Sequence, residues 1–291
     1  MPAIRHPLTI VLVLHCFLAI QAYSEDPEPI QPQNKQGLHY TLRRSTEPIP
    51  NRIHILRVDL SQGMVQPRVV LGPDPDGDGP AEVSLTDPRK LASDPSVLAF
   101  VNSNPWDSFP DANGTKNRNW HRGQHVDIHG LAGTAGVLRS PMAPHPASVW
   151  FDQQSRVHFG HQEGDRPREA TAGFEQIVSE GKIVTAPGGD RHPRTGMGTD
   201  QQGNMLWIVV VDGRQTGFSE GMRVYELAAL MQDLGCWDAT NMDGGGSSIL
   251  GLVNEQGDLT IMNSPSDRIL GRVKIRPLPM VLTIQSTRPS Q

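Results

Sequence analysis

Met205-Leu-Trp-Ile-Val-Val-Val211, then Asp212-Gly-Arg-Gln-Thr-Gly217, then a helical segment, then Asn241-Met-Asp-Gly-Gly-Gly-Ser-Ser248 follow one another in a short stretch of chain. The first is a continuous apolar run, the pattern of a strand covered on both faces. Val224, Leu227, Ala228, Leu230, Met231 and Leu234 then recur at the spacing of one helical face, and Gly235 is a natural terminator. Cys236 to Met242 suits a second strand. Strand, helix, strand predicts a βαβ unit over about 205–243, with two parallel strands and a right-handed crossover. The expected fold class is therefore α+β, a mixed β-sheet with helices.

That expectation places chemistry. Parallel strands end on one edge of the sheet, where open α/β sheets bind ligands. Asp212 and Asp243 each follow a strand end, so both are expected there, about 5 Å apart laterally if the strands are neighbours. Gly244, Gly245 and Gly246 let backbone amides approach a ligand and form an anion-binding nest. Asn241, Ser247 and Ser248 add polar groups, and Asp243 can act as acid, base or metal ligand. A tight glycine turn with Asp243 bonded to its own amides is the plainer alternative. Gly213 and Arg214 beside Asp212 offer a guanidinium for a phosphate, against a surface ion pair. Arg194-Thr195, after the glycine-rich Pro187-Gly-Gly-Asp190, is a second cation-plus-hydroxyl pair.

Outward from this stretch, the chain has 291 residues, 26 basic against 31 acidic side chains, net charge −5. Such mild acidity argues against a nucleic-acid partner. The apolar share of 36%, with 29 glycines besides, excludes wholesale disorder; 29 glycines and 25 prolines predict a loop-heavy chain with function on its turns. Residues 1–24, with Arg5 and His6 before the apolar run Leu8 to Ile20, read as a secretory signal peptide and imply a secreted or periplasmic protein. An uncleaved anchor and a lipoprotein are the alternatives, the latter disfavoured by His15 before Cys16. No later run is long and apolar enough to span a membrane. After cleavage Cys236 is the remaining cysteine, so no internal disulfide is expected. Residues 25–37 read as a flexible proline-rich spacer, 38–285 as the globular domain and 286–291 as a disordered tail.

Within the domain, Ile53–Leu60 and Val97–Val101 read as strands, and Ser148–Phe151 with Val157–Phe159 as a hairpin. Residues 102–130 read as polar and irregular. His121, His125 and His129 would line one face of a helix and hold a metal, but Gly123 and Gly130 favour a histidine-rich loop. Asp74-Pro-Asp-Gly-Asp-Gly79 copies the start of a calcium loop but has Leu85 where the final carboxylate belongs, so an acidic turn is expected. Asp190-Arg-His192 reads as a charged loop beside Arg194.

Several of these segments, in order, resemble the phosphodiester glycosidase domain family over about 168–284. Arg194-Thr195, Asp212-Gly-Arg214, Gly217-Phe-Ser-Glu-Gly221, Glu226-Leu-Ala228, the octet Asn241–Ser248 and Asn263-Ser-Pro-Ser-Asp267 are similar to its motifs. Asn102 also matches, but Ser103-Asn-Pro-Trp106 stands where the family continues Gly-Phe-Phe; Trp106 is then a candidate aromatic wall for a sugar. The resemblance implies an exported hydrolase cleaving a sugar-1-phosphodiester. Asp243 and Asp212 would be its catalytic carboxylates. Arg194, Thr195, Gly213, Arg214, Asn241, Gly244–Gly246, Ser247, Ser248 and Asn102 would bind the phosphodiester-linked glycan or small molecule. No metal ligand set is assigned, though a divalent cation stays open as a cofactor. The rival functions are a non-catalytic glycan- or phosphate-binding protein and a metal-dependent phosphoesterase.

Overall fold

The computed structural model describes residues 37–141, 145–254 and 256–288. The expected signal peptide, all of the spacer but Gly37, and residues 289–291 of the tail lie outside them. Strands dominate, and the α-helices among the described residues are Pro88–Leu91 and Val224–Asp233. Seven strands form the largest sheet, in the order Leu38–Ser45, Asn51–Asp59, Met205–Val211, Arg194–Thr199, Asp238–Asn241, Glu175–Ser179, Lys182–Ile183. A second sheet runs Leu259–Ile261, Leu250–Val253, Val97–Asn102, Met280–Ser286, Val65–Leu71. Every pairing in both sheets is antiparallel. The hairpin of Ser148–Phe151 with Val157–Phe159 belongs to a further five-stranded sheet.

The expected α+β class and the βαβ unit are therefore corrected to a predominantly β fold. Arg194–Thr199 lies between Met205–Val211 and Asp238–Asn241 and is antiparallel to both. The two strands thus share a direction without being neighbours, and stand about 10 Å apart, two strand spacings. The continuous apolar run misled because burial on both faces does not require parallel neighbours. Leu206, Ile208 and Val210 belong to the core shared with the second sheet, in one cluster with Phe100, Val101, Leu282 and Ile284. Val209 and Val211 face the helix, packing with Leu227, Ala228 and Met231. A helix on one face and a sheet on the other do what two layers of helices do in a parallel fold. The helix comes close because a glycine lies under it: a Cβ on Gly198 would stand 2.7 Å from Met231 Cε.

This layering gathers four chain turns at one edge. Val97–Asn102, Met205–Val211 and Asp238–Asn241 end there, and Arg194–Thr199 begins there.

Candidate active site

Asn102 is the hub of that edge. It is buried, and its carboxamide oxygen accepts Thr195 Oγ1 (2.8 Å) and the Ile249 amide (3.1 Å). Its Nδ2 donates to the Asp243 carbonyl (2.7 Å). One side chain thus fixes both ends of the glycine turn to the strand carrying Arg194. The turn is docked further by the Met242 amide on Thr195 O (2.8 Å) and the Gly245 amide on Pro193 O (2.9 Å). Gly245–Ser247 form a single 3-10 turn, and Gly245 has φ +63°, the left-handed region that a side chain resists.

Asp243 opens this turn. Its amide donates to Ser103 O (3.1 Å) and its Oδ1 accepts the Gly244 amide (2.9 Å). Burial pushes its carboxyl up to about 6, against the opposing pull of the Ser247 hydroxyl, the Arg276 guanidinium and the Gly244 amide. A carboxylic acid poised there exchanges protons near neutral pH.

Four cationic or ionisable groups surround the turn. The Arg214 guanidinium lies against Gly245 and bonds His192 Nδ1 at 3.3 Å. Arg214 itself sits at φ +58°, a conformation uncommon for a side-chain-bearing residue. Arg194 is half-buried, its Nε on Met222 O (2.9 Å) and a terminal nitrogen on Asp190 O (3.0 Å). Burial lowers the Arg194 pKa, Glu175 opposes that and Arg214 adds to it. His192 is lowered by burial, then by the Arg214 and Arg194 charges. Positive charge is thus concentrated at the turn, but the expected nest of free amides is not formed: the Asp243, Gly244, Gly245, Ser247 and Ser248 amides are bonded within the protein. On the turn's other side Arg276 grips Asp267 with two nitrogens (2.9 and 3.0 Å) and donates to Ser247 Oγ (3.2 Å).

Asp212 is placed differently. It is 1% exposed, and its oxygens accept Ser264 N (2.8 Å), Asn263 Nδ2 (3.2 Å) and His54 Nε2 (3.3 Å). Gly213 is wedged against Pro193 and Gly221. Thr195 and Ser248 are buried and bonded to each other at 3.3 Å. Asn241 is buried too, and its Oδ1 has no partner among the described residues. All thirteen residues singled out in the sequence lie in the strands and turns meeting at this edge. Asp212 comes to it through a neighbouring turn rather than an adjacent strand.

The segment that departs from the family pattern is internal. Ser103 and Asn104 are buried. Asn104 Nδ2 donates to His129 O and Leu131 O, both at 3.0 Å. Its Oδ1 accepts Thr171 Oγ1 (2.6 Å) and Ala172 N (3.0 Å). Trp106, also buried, packs edge-on against Trp120 at 5.5 Å between centroids. His125 lies in a short strand, His125–Ile128, that breaks the stretch read as irregular, and no helix aligns it with His121 and His129. Among the described residues no three His, Cys, Asp or Glu side chains are grouped to hold a metal ion. Asp74 Oδ1 caps the amides of Asp76 (3.2 Å) and Gly77 (2.9 Å) of its own turn.

The sequence reading missed Arg276, His54 and Tyr40. None lies in a glycine-rich or clustered motif, and each reaches the site only through tertiary pairing.

The phosphodiester glycosidase family model matches residues 129–285, more than half of the chain. The chain belongs to that family. The catalytic domain of zebrafish N-acetylglucosamine-1-phosphodiester alpha-N-acetylglucosaminidase, auto-inhibited by its pro-peptide, is a structural neighbour at 20% identity. That match covers 87% of this chain and 85% of the zebrafish one, with a TM-score of 0.61. A hypothetical protein from Synechocystis aligns at 11% identity over 86% of this chain and 62% of its own, TM-score 0.51. At these identities the neighbours show the shared fold. No curated protein sequence matches the chain. Among the described residues no helix is long and apolar enough to cross a membrane.

Proposed function

We propose that this member of the phosphodiester glycosidase family is an exported hydrolase that cleaves the C1–O bond of a sugar-1-phosphodiester at the Asp243–Ser248 turn. The carrying observation is the Asp243 carboxyl, raised to about 6, on a glycine turn with the Arg214 guanidinium against one side and Arg276 on the other. Heterolysis of a sugar–phosphate bond leaves negative charge on the phosphate and positive charge at C1. Arg214 and Arg194 meet the first, and ionised Asp243 meets the second or takes the proton of the attacking water. Water adds its oxygen to C1, the C1–O electron pair leaves with the phosphate, and sugar and phosphomonoester are released. Phosphate is a good leaving group, so the cations carry more of the work than an acid would. Asp212, saturated by fixed donors, acts in this reading as a buried anchor for the Arg214 turn. Asn102 and Thr195 hold the turn and the strand together.

Hydrolysis in H2(18)O tests this. Label in the sugar hydroxyl is the expected result, with activity surviving a chelator. Label in the phosphate, lost on chelation, assigns a metal-dependent phosphoesterase. Saturable binding of the diester without turnover in either arm assigns a binding protein.

A further inference from the structure

We propose that His54, backed by Tyr40, is a positioning residue that holds the Arg214 guanidinium on the glycine turn through Asp212. This rests on the reading of Arg214 as a phosphate ligand. Both residues lie in the N-terminal strand pair, Leu38–Ser45 with Asn51–Asp59, before the stretch that the family model matches.

The chain of contacts is continuous. The Tyr40 hydroxyl lies 2.8 Å from His54 Nδ1, and His54 Nε2 lies 3.3 Å from Asp212 Oδ2. A carboxylate only accepts, so Nε2 carries the proton and Nδ1 accepts from Tyr40. Burial, then the Asp212 charge, raises the Tyr40 hydroxyl well above its ordinary pKa, which keeps it a donor. The other Asp212 oxygen takes the Ser264 amide and Asn263 Nδ2, and Asn263 Nδ2 also donates to Ser248 O (3.0 Å) at the end of the glycine turn. Ser264 in turn exchanges two bonds with the side chain of Gln215, each 2.9 Å. Asp212 and Gln215 therefore bracket Gly213 and Arg214 from both sides. Arg214, at φ +58°, keeps its strained backbone because these brackets hold it.

His54 is the donor that reaches Asp212 from the N-terminal strands. Without it one oxygen of a buried carboxylate is left bare. The group then rotates or draws in water, and the Ser264 and Asn263 bonds slacken with it. A cavity of about 170 Å3 adjoins the pair, lined by Tyr40, Leu42, Arg52, His54, Phe218 and Met262 among others. It gives a small molecule access to the space that a truncated His54 would leave.

The test measures inorganic phosphate binding by calorimetry on the full chain. His54→Ala is expected to weaken phosphate at least tenfold, to raise KM for the diester by a similar factor and to leave kcat within about threefold. His54→Gln, which returns an N–H to Asp212, is expected to restore affinity to within threefold, and free imidazole to restore much of it to His54→Ala. A folded His54→Ala that binds phosphate as the wild type does overturns the proposal. So does a loss that neither Gln nor imidazole repairs, because that is a packing defect. Independently of any variant, the wild-type imidazole 15N spectrum is expected to show the Nε2–H form of His54 and to respond to phosphate; indifference at saturating phosphate overturns the proposal, as does a wild type that binds none. Cleavage is scored separately. His54-dependent phosphate binding in a chain that cleaves no diester keeps this role and removes the glycosidase reading.

Discussion

Replacing Asp243 with asparagine is expected to abolish turnover while making the protein more stable at neutral pH. Raising the carboxyl from 3.8 to about 6 penalises its ionised form, and at roughly 1.4 kcal/mol per tenfold the full penalty is about 3 kcal/mol. By area the residue is only half-buried, although burial of its carboxyl is the leading cause of the shift, so about 2 kcal/mol is the expected net effect once solvent screening is allowed for. Asparagine keeps the acceptor for the Gly244 amide and has no charge to desolvate. The folded state binds the proton more tightly than the unfolded chain does. The group's favourable contribution is thus complete below about pH 4 and is lost as pH rises through 6. The variant does not titrate. Its advantage over the wild type is therefore expected to be near zero at pH 4, to grow between 4 and 6, and to level off above. For a domain of this size, about 2 kcal/mol moves Tm by roughly 4–8 °C. The assay is calorimetric or urea unfolding of both proteins at pH 4, 5, 6 and 8, beside diester turnover in the same buffers. Wild-type turnover is expected to fall about tenfold per pH unit below 6. A variant no more stable than the wild type at pH 8, or a stability difference that ignores pH, would refute the poised carboxyl and with it the assigned role.

Gly245→Ala places a methyl in the left-handed region and 3.1 Å from the Arg214 guanidinium. It should cost about 1–2 kcal/mol of stability and raise KM for the diester more than it lowers kcat. Asn102→Ala leaves the Ile249 amide, the Thr195 hydroxyl and the Asp243 carbonyl without their buried partner. At 1–3 kcal/mol each before relaxation, a loss of about 3 kcal/mol in urea unfolding is expected. Burial pushes the thiol of Cys236 far up, helped by the Asp200 and Asp238 charges. Native protein should therefore resist iodoacetamide over hours and react on unfolding; rapid native labelling counted by mass spectrometry would contradict its packing.

The parts of this fold legible in the sequence are those whose cause is local. Met205–Val211 announces a doubly buried strand because each of its seven side chains is apolar, and Val224–Asp233 a helix because its buried positions repeat every three or four residues. What covers the strand is a different matter. Nothing in Met205–Val211 says whether the second face meets a helix or a sheet, and Arg194–Thr199, which separates the supposed neighbours, precedes both in the chain. Its Gly196 and Gly198 were a usable signal, since glycines two apart in a strand leave one face bare for close approach by a helix. The site divides the same way. Asp243 with Gly244–Gly246, and Asp212 with Gly213 and Arg214, are conspicuous because each sets charged groups beside glycine in one short run of sequence. Arg276, His54 and Tyr40 act across separations that only the sheet pairings close, and each alone reads as an ordinary surface or core residue. The edge that received Asp212 and Asp243 nevertheless follows from direction rather than adjacency. Two strands antiparallel to the same neighbour must end on the same side, so an error in the fold class left the carboxylates at one edge and changed the distance between them. The inserted strand also brings Arg194 and Thr195 between the two turns. It places a guanidinium beside the turn and supplies, through Thr195 and Asn102, the tie that holds the glycine turn in place.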